Sequence, residues 1–210
     1  MTRLVDMTIA GFLDELASGS PAPGGGSVAA LSGALGAALA TMVCHLTVGK
    51  PGYEAVQNTM PTLLERGTKL RQEFTGLIDE DTTAYTKVVT ALKLPKTTEA
   101  EKAKRRDTLQ VAFQAAAEVP LHTARLCYDL LALADDVAHQ GNKNSITDAS
   151  VAALMAQAGL ESAALNVRIN LTSIKDAAFV NTTSVELLDL QQAGAERAKA
   201  IYEYVSRTLA

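Results

Sequence analysis

An aspartate inside an apolar helical seam is the feature of this chain that most directly suggests chemistry. Met60, Leu63, Gly67, Leu70, Phe74, Leu77, Asp81, Ala84 and Val88 follow one another at steps of three and four, the spacing of one helix face turned toward a partner. A carboxylate buried there costs on the order of several kcal/mol unless it is paired or hydrogen-bonded. Two readings of Asp81 stay open. One is structural: a cap or ion pair to a neighbouring helix, or a local rotation that turns the side bearing Asp79 and Glu80 outward. The other is functional: a general base, or a carboxylate facing a cationic substrate. Tyr85, one turn later, would bring a hydroxyl to the same pocket.

Two further stretches carry groups that could bind a ligand. In "NVRINLTSIKD", Asn166, Asn170 and Ser173 form a polar line beside Leu165, Ile169 and Thr172. This is either an exposed polar face or an amide ladder that bonds a heterocycle or the next helix. "PGGGS", from Pro23 to Ser27, places glycine amides at a helix start, which suits a carboxylate, a phosphate or developing negative charge. Glycines also serve plain turns, and neither a Walker nor a dinucleotide fingerprint is present. His45, His122 and His139 have no ligand spacing, so no metal site is expected. Cys44 and Cys127 form neither a disulfide framework nor a zinc motif, and point to a reduced, cytoplasmic setting.

These residues must be positioned by helices, because nearly every segment has the helical period and none alternates. Of the 210 residues, 48% are apolar and only 4% aromatic, with no Trp; this composition predicts helices packed through small side chains. The net charge of −4 gives no support to a nucleic-acid or anionic-membrane partner. No Asp, Glu, Lys or Arg lies between Glu15 and Lys50. That run approaches a membrane span in length, but it is rich in Ala, Gly and Ser, lacks an aromatic belt and follows acidic residues. A buried helix accounts for it better.

The predicted elements make one all-α domain over residues 1–210, a bundle of about six helices, some long. Helix 1 starts near Thr8, helix 2 at Ser27, and helix 3 runs from Pro51 or Pro61 to about Leu94. Helix 4 opens with a Thr98–Glu101 capping box, and Pro120 should kink or split it. Helix 5 spans about Asp148–Ile174. Helix 6 starts near Ser184 with a Thr183–Glu186 capping box.

"PAPGGGSVAALSGALGAALATMVCHLTVGK" resembles the signature of the formimidoyltetrahydrofolate cyclodeaminase and methenyltetrahydrofolate cyclohydrolase family. "DEDTTAYTKVVTALKLPK", "AAAEVPLHTA", "GNKNSITDASVAAL" and "NVRINLTSIKD" match further, in the family's order and over nearly the whole chain. One departure is "ITD" where "SD" is expected before helix 5.

The resemblance implies an all-helical subunit that forms a homodimer and handles a one-carbon unit between N5 and N10 of tetrahydrofolate. The chain's length favours the cyclohydrolase, which adds water to the 5,10-methenyl compound to give 10-formyltetrahydrofolate. The alternatives are the cyclodeaminase, which makes the methenyl compound and ammonia from 5-formimidoyltetrahydrofolate, and a non-catalytic folate-binding protein. The resemblance implies no cofactor beyond the folate substrate. Under it, Asp81 would take a proton from water, and Tyr85 or Lys50 would assist. Asn142, Asn144, Asp148, Asn166 and Asn170 would bind the substrate. Gly24, Gly25, Gly26 and Ser27 would hold carboxylates or water, with Lys50, Lys143 or Lys175 near a polyglutamate tail.

Overall fold

Apolar residues at helical spacing, interrupted by Pro- and Gly-containing turns, build helices and little else. A computed structural model describes residues 3–210. It has six α-helices among them: α1 (Ile9–Leu16), α2 (Gly25–His45), α3 (Met60–Leu92), α4 (Glu99–Gln140), α5 (Ile146–Leu171) and α6 (Ala177–Leu209). No strand occurs among the described residues. Helices α2 to α5 run up and down as an antiparallel bundle. Gly26 of α2 meets Asp81 of α3 at one end, while Thr41 of α2 meets Gly67 of α3 toward the other. Helix α5 returns along α2, with Gly159 against the Ala29 carbonyl and Gly36 against the Ala152 carbonyl. Helix α6 lies along α4 and α5, tied by a two-bond Arg125–Glu186 ion pair of 2.5 and 2.8 Å.

The small residues of α2 serve this close packing. Ala30, Ala37 and Ala40 have no exposed surface, and 61% of the most apolar 18-residue window of α2 is buried inside the bundle. A Cβ on Gly33 would sit 2.3 Å from Cε1 of Phe74, a ring with no exposure. Gly33→Ala should therefore cost about 1–3 kcal/mol through overpacking. Urea unfolding should record a lower midpoint with an unchanged slope.

Several expectations are met closely. Thr8 caps α1 by accepting the Gly11 amide at 3.0 Å, and the Thr98–Glu101 capping box is formed. Helix α3 starts at Met60, with Pro61 in its first turn. Other boundaries are corrected. Helix α2 begins at Gly25, ahead of Ser27. Helix α5 begins at Ile146 after the Lys143–Ser145 turn, with no side-chain cap. Helix α6 begins at Ala177, capped by Asp176, whose Oδ1 accepts the amides of Ala178 and Phe179 at 3.1 Å. No Thr183–Glu186 capping box starts α6: Thr183 is buried inside the helix, and Glu186 pairs with Arg125. Thr183 and Glu186 have capping-box spacing but lie within a helix that Asp176 has already started.

Pro120 does not split α4, which continues from Glu99 to Gln140. A proline has no N–H, so the carbonyl four residues earlier loses its helical donor. Here that carbonyl, of Ala116, accepts from Nδ2 of Asn170 on α5 at 3.0 Å. Asn170→Ala should cost about 1–3 kcal/mol by orphaning this acceptor. In a Pro120→Ala background, where the N–H is restored, most of that cost should vanish in a double-mutant cycle.

Candidate active site

The first amides of a helix have no intrahelical acceptor, and Gly24, at the cap position of α2, has no side chain to offer one. Asp81 supplies the cap from α3. Its Oδ2 accepts the Ser27 amide at 3.0 Å and lies 3.2 Å from the Ser27 hydroxyl, which also donates to the Ile78 carbonyl at 2.9 Å. The inter-helix cap anticipated as the structural reading is therefore present. It leaves Oδ1 without a protein donor among the described residues. No buried side-chain oxygen or nitrogen there lacks a partner, so Oδ1 is reached by solvent. The same carboxylate holds a helix and keeps one oxygen free to work.

Gly26 makes this approach possible, because a Cβ there would lie 2.0 Å from Oδ1 of Asp81. Gly25 likewise faces the amide of Asn166, with Nδ2 3.0 Å from an added Cβ. The glycine run is thus a thin wall between Asp81 and Asn166. Nδ2 of Asn166 donates to the Ser162 carbonyl at 2.8 Å, and Nδ2 of Asn170 to the Asn166 and Ala116 carbonyls. The asparagine ladder is therefore part-buried and bonded to its own and the neighbouring helix. The exposed side is the apolar line: Leu165 is 65% and Ile169 67% exposed.

Burial pushes the Asp81 carboxyl above its ordinary range, and the Ser27 hydroxyl and amide pull it part of the way back. A base with a raised pKa is better matched to neutral pH. Ser27→Ala removes one of the two restraining donors, so the acid limb of any Asp81-dependent rate should move to higher pH. A pH profile of kcat/KM checks this.

Tyr85 is half-exposed and lines an open groove of about 1030 Å³ beside the Asp81 end, with Thr82, Thr86, Thr90 and Lys87. Sequence reasoning passed over these threonines and Lys87. Their signal was the hydroxyl-rich run "TTAYTKVVT". Arg3 on the rim is taken by Asp79.

The remaining expected site residues lie elsewhere. The buried Asn142 receives a donor from Asn144 and holds the far end of α2, its amide N–H bonding Thr47 Oγ1 at 2.9 Å and its Nδ2 the Leu46 carbonyl at 3.3 Å. The Lys143 amide donates to the Tyr53 hydroxyl at 2.8 Å. Asp148 is in the first turn of α5, and Lys50 follows α2. Twenty-one residues of α2 separate this end from Gly25, about 30 Å at 1.5 Å per residue. Within one chain, Asp81, Gly24–Ser27, Asn166 and Asn170 are gathered, while Tyr85, one turn along α3, lines the adjoining groove, to which none of these contributes. Lys50, Asn142, Asn144 and Asp148 form a second group at the opposite end.

The fold and site define an all-α bundle that aims a capped carboxylate into a glycine-opened helix start. The chain belongs to the formiminotransferase-cyclodeaminase family, whose model matches residues 8–189. It is 46% identical over 198 residues to a methenyltetrahydrofolate cyclohydrolase of Methylorubrum extorquens, covering 94% of this chain and 95% of that one. It is 36% identical to a formimidoyltransferase-cyclodeaminase of Mus musculus, covering 94% of this chain but 37% of that protein. A crystal structure of formiminotetrahydrofolate cyclodeaminase from Thermotoga maritima superposes with a TM-score of 0.87 at 31% identity, over 98% of both chains.

Proposed function

We propose that this protein is a cytoplasmic, homodimeric enzyme that reversibly hydrolyses 5,10-methenyltetrahydrofolate to 10-formyltetrahydrofolate without a metal or organic cofactor. The observation that carries the reading is the free Oδ1 of Asp81, a raised-pKa carboxylate oxygen at the glycine-opened start of α2. The methenyl carbon belongs to an amidinium cation, which a carboxylate attracts. Water adds to that carbon while Oδ1 takes its proton, giving a neutral carbinolamine. The carbon–N5 bond then breaks as N5 gains a proton and the carbinol oxygen loses one to become the formyl group. Tyr85, one turn from Asp81, is the nearer candidate for delivering the proton to N5; Lys50 lies beyond the opposite end of α2. The adjoining groove, with Lys87 on its lining, suits the acidic arm of a folate.

Identity favours this reaction: 46% to a relative named as a cyclohydrolase, against 36% and 31% to proteins named for cyclodeaminase activity. The likeness to those proteins keeps 5-formimidoyltetrahydrofolate as a second substrate to test. Purified protein should accelerate loss of the methenyl compound over its spontaneous hydrolysis, and release no ammonia from the formimidoyl compound. Ammonia with methenyl product would mean cyclodeaminase. Binding of folate without turnover of either would mean a non-catalytic protein.

A further inference from the structure

Asn166 presents an amide edge to which nothing in the chain is bonded. Its Nδ2 donates one hydrogen to the Ser162 carbonyl at 2.8 Å, and a primary amide nitrogen carries two. Its Oδ1 takes no protein donor among the described residues, and no buried side-chain oxygen there lacks a partner, so this oxygen is reached by solvent. The orientation of the amide is fixed, because a flip would set Oδ1 against the Ser162 carbonyl, acceptor against acceptor. Asn166 therefore offers one N–H and one C=O side by side, in a fixed sense. Gly25 leaves this pair uncovered: it is exposed, and the Cβ it lacks would lie 3.0 Å from Nδ2 and 3.4 Å from Oδ1. One turn on, Nδ2 of Asn170 spends both hydrogens on the Asn166 and Ala116 carbonyls. The free atom of that amide, Oδ1, only accepts.

A donor beside an acceptor is complementary to a lactam, whose C=O accepts and whose N–H donates. In the pyrimidinone ring of a tetrahydropterin that lactam is C4=O with N3–H. The 2-amino group, a further donor, comes next, as the acceptor of Asn170 follows Asn166. Position agrees as well. C4 and N5 are joined through one ring carbon, so the lactam and the methenyl carbon are neighbours in the substrate. In the protein, Gly25 faces Asn166, and the next residue, Gly26, faces Oδ1 of Asp81. The groove with Thr82 and Lys87 lies on the α3 side, and no residue of α5 lines it, which leaves the arm at N10 a course away from the pterin. Resting on the proposed folate reading, we propose that Asn166 reads the pterin: Nδ2 donates to O4 and Oδ1 accepts N3–H, while Asp81 faces the methenyl carbon. The site then separates 4-oxo from 4-amino pterins. In a 2,4-diaminopyrimidine the 4-amino group donates and N3 accepts, so donor meets donor and acceptor meets acceptor. The Ser162 carbonyl keeps Asn166 from turning over to suit.

Calorimetric binding, and competition against methenyl turnover, test this with tetrahydrofolate and its 4-amino analogue as the probes. Wild type should bind the 4-oxo compound roughly ten- to a hundredfold tighter, the cost of two mismatched polar contacts. In Asn166→Ser the hydroxyl still donates to the Ser162 carbonyl, four residues back, but is too short to present the edge. This variant should bring the two affinities within about threefold, less than one hydrogen bond, and raise KM while kcat changes little. Gly25→Ala, which leaves Asn166 in place and sets a methyl group on its edge, should do the same. Equal binding of the two compounds by wild type, or discrimination that survives in both variants, would overturn the proposal, while turnover of the methenyl compound upholds the folate reading. If wild type neither turns over the methenyl compound nor binds either probe, both fall together.

Discussion

Asp81→Asn should keep the fold and lower kcat/KM for methenyl hydrolysis by roughly 10²–10⁴-fold, the range for a lost general base. Asparagine retains an oxygen to accept the Ser27 amide, so the cap on α2 survives while the base does not. Stability should move the other way from activity. Burial raises the carboxyl's pKa in the folded state, so its protonated form is favoured on folding. That contribution is fully present below the unfolded pKa and is lost as pH rises through the raised folded value. At neutral pH the amide variant should therefore be at least as stable as wild type, with the two converging in acid. Urea titrations at neutral pH and near pH 4 check the sign. A variant both inactive and destabilised at neutral pH would assign Asp81 to the cap alone.

Gly26→Ala should lose both activity and stability. The added Cβ would stand 2.0 Å from Oδ1 and 2.4 Å from Cγ of Asp81, closer than any non-bonded contact allows. Either Asp81 rotates off Ser27 or α2 moves away from α3. Displacement of a base by an ångström is enough to cost on the order of 10²-fold, and overpacking adds about 1–3 kcal/mol of destabilisation. The clash is with one side chain, so the stability cost should largely disappear in an Asp81→Ala background. Denaturant unfolding of the two single variants and the double variant measures that coupling.

The helices were legible because their apolar positions repeat at helical spacing: all eight seam neighbours of Asp81, from Met60 to Val88, are buried. Boundaries were less legible where a cap is supplied by a distant residue. Gly24 gives no local signal for the start of α2, because its cap is Asp81, 54 residues beyond Ser27. Pro120 misled for the same reason, since the side chain that compensates it is Asn170, on another helix. The site was legible as residue types but not as one place. Asp81, Gly26 and Asn166 converge, whereas Asn142 and Asn144 lie at the opposite end of α2, a separation that only the antiparallel run of α2 and α5 reveals.

The central claim is that the free oxygen of Asp81 drives water onto the methenyl carbon. Its most direct test is the near-ultraviolet absorbance of 5,10-methenyltetrahydrofolate followed at neutral pH with wild type, with Asp81→Asn, and with no enzyme. The account predicts rapid loss with wild type and a rate close to the unaided one with the variant. Equal rates for wild type and variant, whether both fast or both at the unaided level, would contradict it.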